Sequence, residues 1–198
     1  MSQHPATEFL HALDPASDAT FHITTLTDLP KGEEKPKTDP LLRHYENQTL
    51  AQVKGLIPEL DRLNATGAGI FFCVNQCKGK RKKANVTRVR CVHADFDNAT
   101  LAQIDAVRQK LPPSIEVHTS GTTKHHFYWA LDDADDIDVA TAEAMNRALV
   151  DWGADPAATD TSRLLRLPGF RHMKYRAAGE TPLVTATFSV EQPVGGEQ

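Results

Sequence analysis

The sequence predicts an α/β (α+β) fold, a sheet with helices packed against it. Three observations lead there. Short runs of β-branched and apolar residues alternate with segments of helical periodicity. No glycine-rich phosphate loop interrupts that alternation. A length of 198 residues, 40% hydrophobic and 24% charged, suits one ordinary globular domain spanning 1–198.

The elements follow in order. Residues 5–13 read as a helix with Phe9, Leu10 and Leu13 on one face, and 21–26 as a strand. Residues 28–40 hold Pro30, Gly32, Pro36 and Pro40 among charges and read as a flexible loop. Helix 50–63 spaces Leu50, Val53, Ile57 and Leu60 on one face, with Pro58 a candidate kink. A turn at 64–69 precedes strand 70–75 and a basic, glycine-bearing loop at 76–84. Strand 87–97 comes next, then helix 101–111, ended by Pro112 and Pro113. Strand 115–119, a Ser120-Gly121 turn and strand 124–131 follow. An acidic stretch, 132–138, leads into helix 139–152. Loop 155–161, strand 163–167 and strand 183–190 complete the series before a polar tail, 191–198. No internal repeat is present.

Composition narrows the class. No apolar run is long enough to cross a membrane and the N-terminus lacks a signal-peptide pattern, so no membrane partner is expected. Three cysteines, an odd number, point to a reducing, cytoplasmic setting rather than a disulfide framework. The net charge of -4 hides a partition. Between Arg62 and Ala94 there is no acid, while Lys78, Lys80, Arg81, Lys82, Lys83, Arg88 and Arg90 all fall there. Residues 161–176 repeat the pattern with Arg163, Arg166, Arg171, Lys174 and Arg176. Two basic segments in a mildly acidic chain suit a polyanion bound locally; a solvated basic loop is the plainer reading.

The run Val92-His93-Ala94-Asp95-Phe96-Asp97 sets two carboxylates one residue apart at the end of a strand. Alternation along a strand points Asp95 and Asp97 the same way. Like charges side by side cost energy unless a cation lies between them, and hard Mg²⁺ or Mn²⁺ prefers such oxygens. A metal–triphosphate site is one reading; a strand ending in a polar turn, with Thr100 capping a helix, is the other. In strand 124–131, Lys124, His126 and Tyr128 share a face suited to phosphate, while His125, Phe127 and Trp129 share a face suited to a core. Arg163 and Arg166 fall on opposite faces of a regular strand, so at most one of them need enter a site unless a bulge intervenes. Asp155 or Asp160 could complete a three-carboxylate set; each also reads as loop chemistry, Asp155 ahead of Pro156 being a helix N-cap pattern.

In that order, an Asp-x-Asp, a His in a strand after a Ser-Gly turn, and an Asp ahead of an Arg-rich strand, the chain resembles the archaeo-eukaryotic primase superfamily. It is most similar to the RepB-like primase domains of plasmids and phages. The phrases GAGIFFCVNQ, NVTRVRCVHADFD, HTSGTTKHHFYWAL and DPAATDTSRLLRLPGFRHMK carry the resemblance over roughly residues 20 to 176. It implies a primase-like fold with a mixed central sheet and an RRM-like catalytic unit flanked by helices. It implies Asp95 and Asp97 as the first motif and His126 as the second. For the third it favours Asp155, with Asp160 as the alternative. Many relatives have Ser-x-His, whereas here Lys124 stands two before His126, so either Lys124 or Ser120 is left to supply that phosphate contact. Some relatives bind zinc; Cys73, Cys77, Cys91 and His93 could be imagined as ligands, but Cys73 and Cys91 sit inside strands and no pair of Cys-x-x-Cys knuckles is present.

The resemblance implies a DNA primase, a template-directed nucleotidyltransferase using nucleoside triphosphates and two Mg²⁺ or Mn²⁺ ions held by Asp95, Asp97 and Asp155. Primer extension by the same site is a further expectation, as is a replicative helicase as partner. Lys124, His126, Arg163, Arg166 and Ser120 would grip the triphosphate. Lys78, Lys80, Arg81, Lys82, Lys83, Arg88 and Arg90 would track a single-stranded DNA template. Two rivals stand beside it. A replication-initiator nickase with a tyrosine nucleophile would need two histidines on one strand face, and His125 and His126 are adjacent. A non-catalytic RRM-like single-strand-binding module would display aromatics rather than carboxylates.

Overall fold

The computed structural model describes residues 3–30, 32–34, 36–132 and 135–189. The expected tail, 191–198, lies outside the described residues, as do parts of the loop at 28–40 and of the acidic stretch. Among the described residues, four α-helices and ten strands appear in the order α1 (Pro5–Leu13), β1 (Thr20–Thr27), β2 (Arg43–Thr49), α2 (Leu50–Ala65), β3 (Ala68–Cys73), β4 (Gln76–Cys77), β5 (Val86–Arg88), β6 (Cys91–Phe96), α3 (Leu101–Lys110), β7 (Ile115–Ser120), β8 (Lys124–Ala130), α4 (Val139–Ala148), β9 (Leu164–Arg166) and β10 (Thr185–Phe188).

The fold class is as expected, but the sheet is not one mixed sheet. Two four-stranded sheets form, ordered β2-β1-β3-β9 and β10-β7-β8-β6, and every pairing in them is antiparallel. The reason lies in the connections: β7 and β8 join through a tight turn at Gly121, whose φ of +60 suits a residue without a Cβ, and tight turns make antiparallel neighbours. The second sheet with α3 and α4 forms the RRM-like β6-α3-β7-β8-α4 unit.

Each strand face in that unit goes where its residues dictate. Val92, Ala94, Phe96 and Phe127 pack with Ile104 and Val107 of α3 and Leu149 beyond α4. The opposite face carries Cys91, Ile115, Val117 and Tyr128 into a core shared with α1, α2 and the first sheet. Phe9 of α1 stands between the sheets, its ring 5.1 Å from Phe72 of β3 and 5.4 Å from Tyr128 of β8. Aromatic contacts at that spacing add to the apolar area buried and fix how the sheets meet.

Several boundaries depart from the sequence reading for visible reasons. Strand β2 was not foreseen because it is an exposed, polar edge strand with no apolar alternation to detect. The predicted strand 87–97 is broken at Val89 and Arg90: Arg90 turns inward and is buried, held by the Asp14 carboxylate at 3.3 Å and the Thr20 carbonyl at 2.7 Å. The loop at 76–84 begins as β4, which pairs with β5 in a two-stranded hairpin. Helix α2 runs unbroken through Pro58. Helix 139–152 ends as a short 3-10 turn over Leu149–Trp152, stopped by Gly153 at φ +102. The loop after β1 is pinned at its far end, where Asp39 accepts bonds from Thr27 N–H at 2.8 Å and Leu41 N–H at 2.9 Å.

Candidate active site

Strand β6 is an edge strand, and its free edge is covered. Asn146 of α4 accepts the His93 N–H at 2.9 Å, and the Asp155 N–H donates to the Asp95 carbonyl at 2.7 Å. That second bond brings Asp155 to the end of the strand bearing Asp95 and Asp97. Asp155 also caps a 3-10 turn, Pro156–Ala158, by accepting the Ala157 N–H at 2.8 Å. The N-cap reading from sequence is thus observed, with the residue standing beside the Asp95 end of the strand.

Asp95 is half-buried, and its carboxyl is pushed up to about 7, first by burial and then by the Asp97 and Asp155 charges; Arg163 and Lys124 pull the other way. Across the sheet its register partner is His126, with Nε2 3.8 Å from Asp95 Oδ1, beyond hydrogen-bond reach. Asp97 is exposed just past the strand, and Lys124 Nζ lies 3.2 Å from its Oδ1. His126 is buried, and burial, followed by the cations and imidazoles around it, drives it down to about 3, so the ring is neutral at pH 7. Tyr128, whose phenol burial holds well above its usual range, contacts His126 Nδ1 at 3.3 Å. A phenol donating to Nδ1 leaves the ring proton on Nε2, beside Asp95.

The opposite wall comes from the first sheet. Arg166 of β9 pairs in register with Phe71 of β3 and lays its guanidinium 4.8 Å from that ring's centre. A Cβ at Gly69 would stand 2.6 Å from the Phe71 ring and 3.2 Å from Arg166 Nη1, so the glycine gives the stacked pair room. Asp28 holds Arg166 with two bonds, at 2.8 and 2.9 Å, and accepts the Lys174 N–H at 3.0 Å. Between the walls lies a cavity of about 670 Å³, bordered by Asp95, Asp97, Lys124, His126, Arg166 and Lys174, with His172 and Tyr175 at its side. His172 is buried and lowered to about 4, chiefly by burial and then by Arg166.

The structure thus gathers Asp95, Asp97, Lys124, His126 and Arg166 on one cavity. Asp155 and Arg163 act on Asp95 from its flank without bordering the cavity. Asp160 instead pairs with Arg163 at 3.5 Å and accepts the Ser162 hydroxyl at 3.2 Å. Ser120 faces a neighbouring cavity rather than this one. Arg163 and Arg166 do separate, as strand alternation requires. Asp28, His172 and Lys174 were missed as site residues. Lys174 and His172 fall in the acid-free segment 161–176, which was the available signal; Asp28 lies 138 residues from Arg166 and carries none.

The basic set also sorts itself. Lys78, Lys80, Arg81, Lys82 and Lys83 are exposed on the β4–β5 hairpin. Arg81 donates to the Ser162 carbonyl at 2.8 Å, and Lys83 is held by Glu143 at 2.5 Å. Arg88 is tied to Asp14 and, at 3.6 Å, to Asp18. Arg90 is corrected outright: buried against Asp14 and the Phe21 ring, it cannot reach a template.

Among the described residues, no three His, Cys, Asp or Glu side chains form a ready-made metal cage. The donor set at Asp95 still fits a hard cation, because Mg²⁺ is usually held by one or two carboxylates together with substrate phosphates and water. The imagined zinc ligands are spent otherwise: Cys73 and Cys77 contact each other at 3.8 Å, Cys91 Sγ points to the Val74 carbonyl, and His93 Nε2 lies 3.1 Å from the Ala158 carbonyl.

The model of the RepB DNA-primase N-terminal domain matches residues 73–190, more than half of the chain. The chain belongs to this family. The family is one of primases, which are nucleotidyltransferases. Solved structures agree on the fold. The crystal structure of primase RepB′ matches with a TM-score of 0.65 at 18% identity, covering 93% of this chain and 55% of that one. The chain thus spans about half the length of that relative. The catalytic domain of primase RepB′ in complex with initiator DNA matches at 0.63 and 19% identity, covering 93% and 83%. The AEP domain of the cyanophage S-2L primase-polymerase matches at 0.68 and 22% identity, covering 96% and 92%. No curated protein matches.

Proposed function

We propose that this domain performs template-directed nucleotidyl transfer, starting primers on single-stranded DNA for plasmid or phage replication in a bacterial cytoplasm and extending them as a polymerase. The observation that carries this reading is the open Asp95–Asp97 pair facing a cavity whose other walls supply Lys124, His126, Arg166 and Lys174. Mg²⁺ or Mn²⁺ held by Asp95, Asp97 and Asp155 would supply a more acidic 3′-hydroxyl and charge stabilisation at the leaving pyrophosphate. Asp155 is preferred to Asp160 because its backbone is bonded to Asp95 and its charge is felt there.

The chain's own residues do the positioning. His126 offers a neutral Nε2–H to a phosphate oxygen, and Lys124, Arg166 and Lys174 add cationic donors around it. Arriving in place, fixed by Asp28 and Phe71, Arg166 needs little reorganisation as charge develops on the transferring phosphoryl group. The β4–β5 hairpin, with Lys78, Lys80, Arg81 and Lys82 exposed, suits the phosphates of a template strand. A relative crystallised with initiator DNA supports DNA as the polymer bound.

The two rivals lose support. His125 turns away from His126 to Glu116, 2.8 Å from its carboxylate, so no histidine pair shares a face. The aromatics Phe127 and Trp129 pack with the helices rather than lying open for bases. The test is incubation with single-stranded DNA, labelled nucleotides and Mn²⁺. Short oligomers are expected from the parent and none from Asp95→Ala/Asp97→Ala; full synthesis by that double variant would overturn the reading.

A further inference from the structure

A second cavity, of about 680 Å³, adjoins the first. Lys124 and Tyr175 line both. Its other walls include Ser120, Gly121, Arg171 and Thr181. Ser120 stands at the end of β7 directly across from Lys124 in the β7–β8 register. Its hydroxyl is buried and has no hydrogen-bond partner. Such a group is unfavourable until something bonds to it. Arg171 is exposed and steadied from behind, with Nη1 donating to the Thr181 carbonyl at 2.9 Å and its backbone N–H to Asn64 at 2.9 Å. Two cations and an unused hydroxyl, against the one exposed acid Glu180, suit a phosphate-bearing ligand.

A reaction that joins two free nucleotides needs two seats beside the carboxylates. The first cavity accounts for the nucleotide whose α-phosphorus is attacked. We propose that the second cavity seats the triphosphate of the nucleotide that supplies the 3′-hydroxyl in the first coupling, held by Ser120, Lys124 and Arg171. This rests on the nucleotidyl-transfer reading above. In that coupling the 3′-oxygen bonds to the α-phosphorus of the other nucleotide. The bond to the bridging oxygen breaks, pyrophosphate leaves with the electron pair, and the hydroxyl proton passes to solvent. The two pockets have nearly equal volumes, and Lys124, bonded to Asp97, stands at their border. Two cations and one buried hydroxyl gathered at one spot match the clustered oxygens of a chain-terminal polyphosphate better than the spaced phosphates of a DNA backbone.

Two measurements test this. In equilibrium binding of labelled GTP with Mn²⁺, the parent should take up two nucleotides per chain, and Ser120→Val and Arg171→Gln one. One nucleotide on the parent, or two on both variants, overturns the proposal. Arg171→Gln changes an exposed side chain, so it decides the matter if Ser120→Val does not fold. In synthesis assays on single-stranded DNA, both variants should raise the KM of the initiating nucleotide at least tenfold. Extension of a primer with a 5′-hydroxyl, which puts nothing in the pocket, should fall less than threefold. Equal losses in both assays, or a loss of template affinity measured without nucleotide, would assign the pocket to the incoming nucleotide or to DNA and overturn the proposal. A parent that makes no oligomers refutes primase activity instead, while the nucleotide count still decides the pocket.

Discussion

Asp95 is held in a strand between two other carboxylates, and its proton responds accordingly. Folding raises its carboxyl to about 7, so the metal-free protein keeps a proton there that the unfolded chain has already lost. Its contribution to stability is full in acid and is lost as the pH rises through 7. Asp95→Asn should therefore abolish nucleotide incorporation yet stabilise the metal-free protein at pH 8 by about 1–2 kcal/mol in urea melts. Mn²⁺ should stabilise the parent and leave the variant unmoved; a variant no more stable than its parent at pH 8 contradicts the site. Asp155→Asn separates the two candidates for the third carboxylate. Asparagine caps a helical turn as well as aspartate does, so the fold should hold while incorporation falls by several orders of magnitude. Asp160→Asn, which loses a surface pairing with Arg163, should cost far less; the reverse ranking moves the third ligand to Asp160. Asp28 makes the sharpest contrast with what the sequence could tell. Asp28→Asn should lower kcat/KM for nucleotide about tenfold, with kcat falling as well because Arg166 no longer arrives in place, and should cost about 3 kcal/mol because Arg166 is left half-paired in a buried setting. The Asp95–Asp97 pair was legible because its spacing is local. The Asp28–Arg166 pair was not, because it exists only once the two ends of the first sheet's path are brought together.

At the scale of the elements, legibility followed the apolar pattern. Strands β6, β7 and β8 were readable because apolar and β-branched residues run through them: β7 alternates buried and partly buried positions over most of its length, while β6 and β8 are buried on both faces along most of theirs. Strand β2 was invisible because both its faces meet solvent. Strand β6 was read too long because Arg90, charged in sequence, spends its charge inside on Asp14. The same sorting refines the basic hairpin. Its cations differ in what they already hold. Lys80→Ala, Arg81→Ala and Lys82→Ala together should weaken single-stranded DNA binding and flatten the salt dependence, by roughly 0.7 in slope for each phosphate that no longer has a cation beside it. Lys83→Ala should leave that slope nearly intact, because Lys83 ties the hairpin to Glu143 of α4. Fluorescence titrations across a salt series read both. An unchanged slope in the triple variant would send the template elsewhere, with the segment 163–176 next in line.

For the molecule as a whole, the meeting of two sheets buries titratable groups of opposite habit, and the pH profile of stability follows from which kind prevails. His93, His126 and His172 are buried and are lowered from an ordinary 6.5 to about 4, 3 and 4, burial being the largest cause for each. A group that protonates less readily when folded contributes stability above its unfolded value and loses it as the pH falls toward the folded one. These three therefore destabilise the domain from about pH 6.5 downward. Asp95 works in the opposite direction over much of the same range, gaining as the pH falls below 7. Glu116 takes no part until stronger acid: burial would raise it, but hydrogen bonds from His125 and Arg108 win and hold it at about 2. Three imidazoles against one carboxylate leave a net loss. The free energy of unfolding in the metal-free protein should fall by at least about 2 kcal/mol between pH 7 and pH 4.5. The fall should steepen in Asp95→Asn, which lacks the opposing group. It should flatten in His93→Gln, whose amide can still donate to the Ala158 carbonyl but does not titrate. Denaturant melts at three pH values decide it. A flat profile in the parent would mean that the two sheets part readily enough to let water reach the imidazoles, and the rigid cavity between them would then not survive in solution.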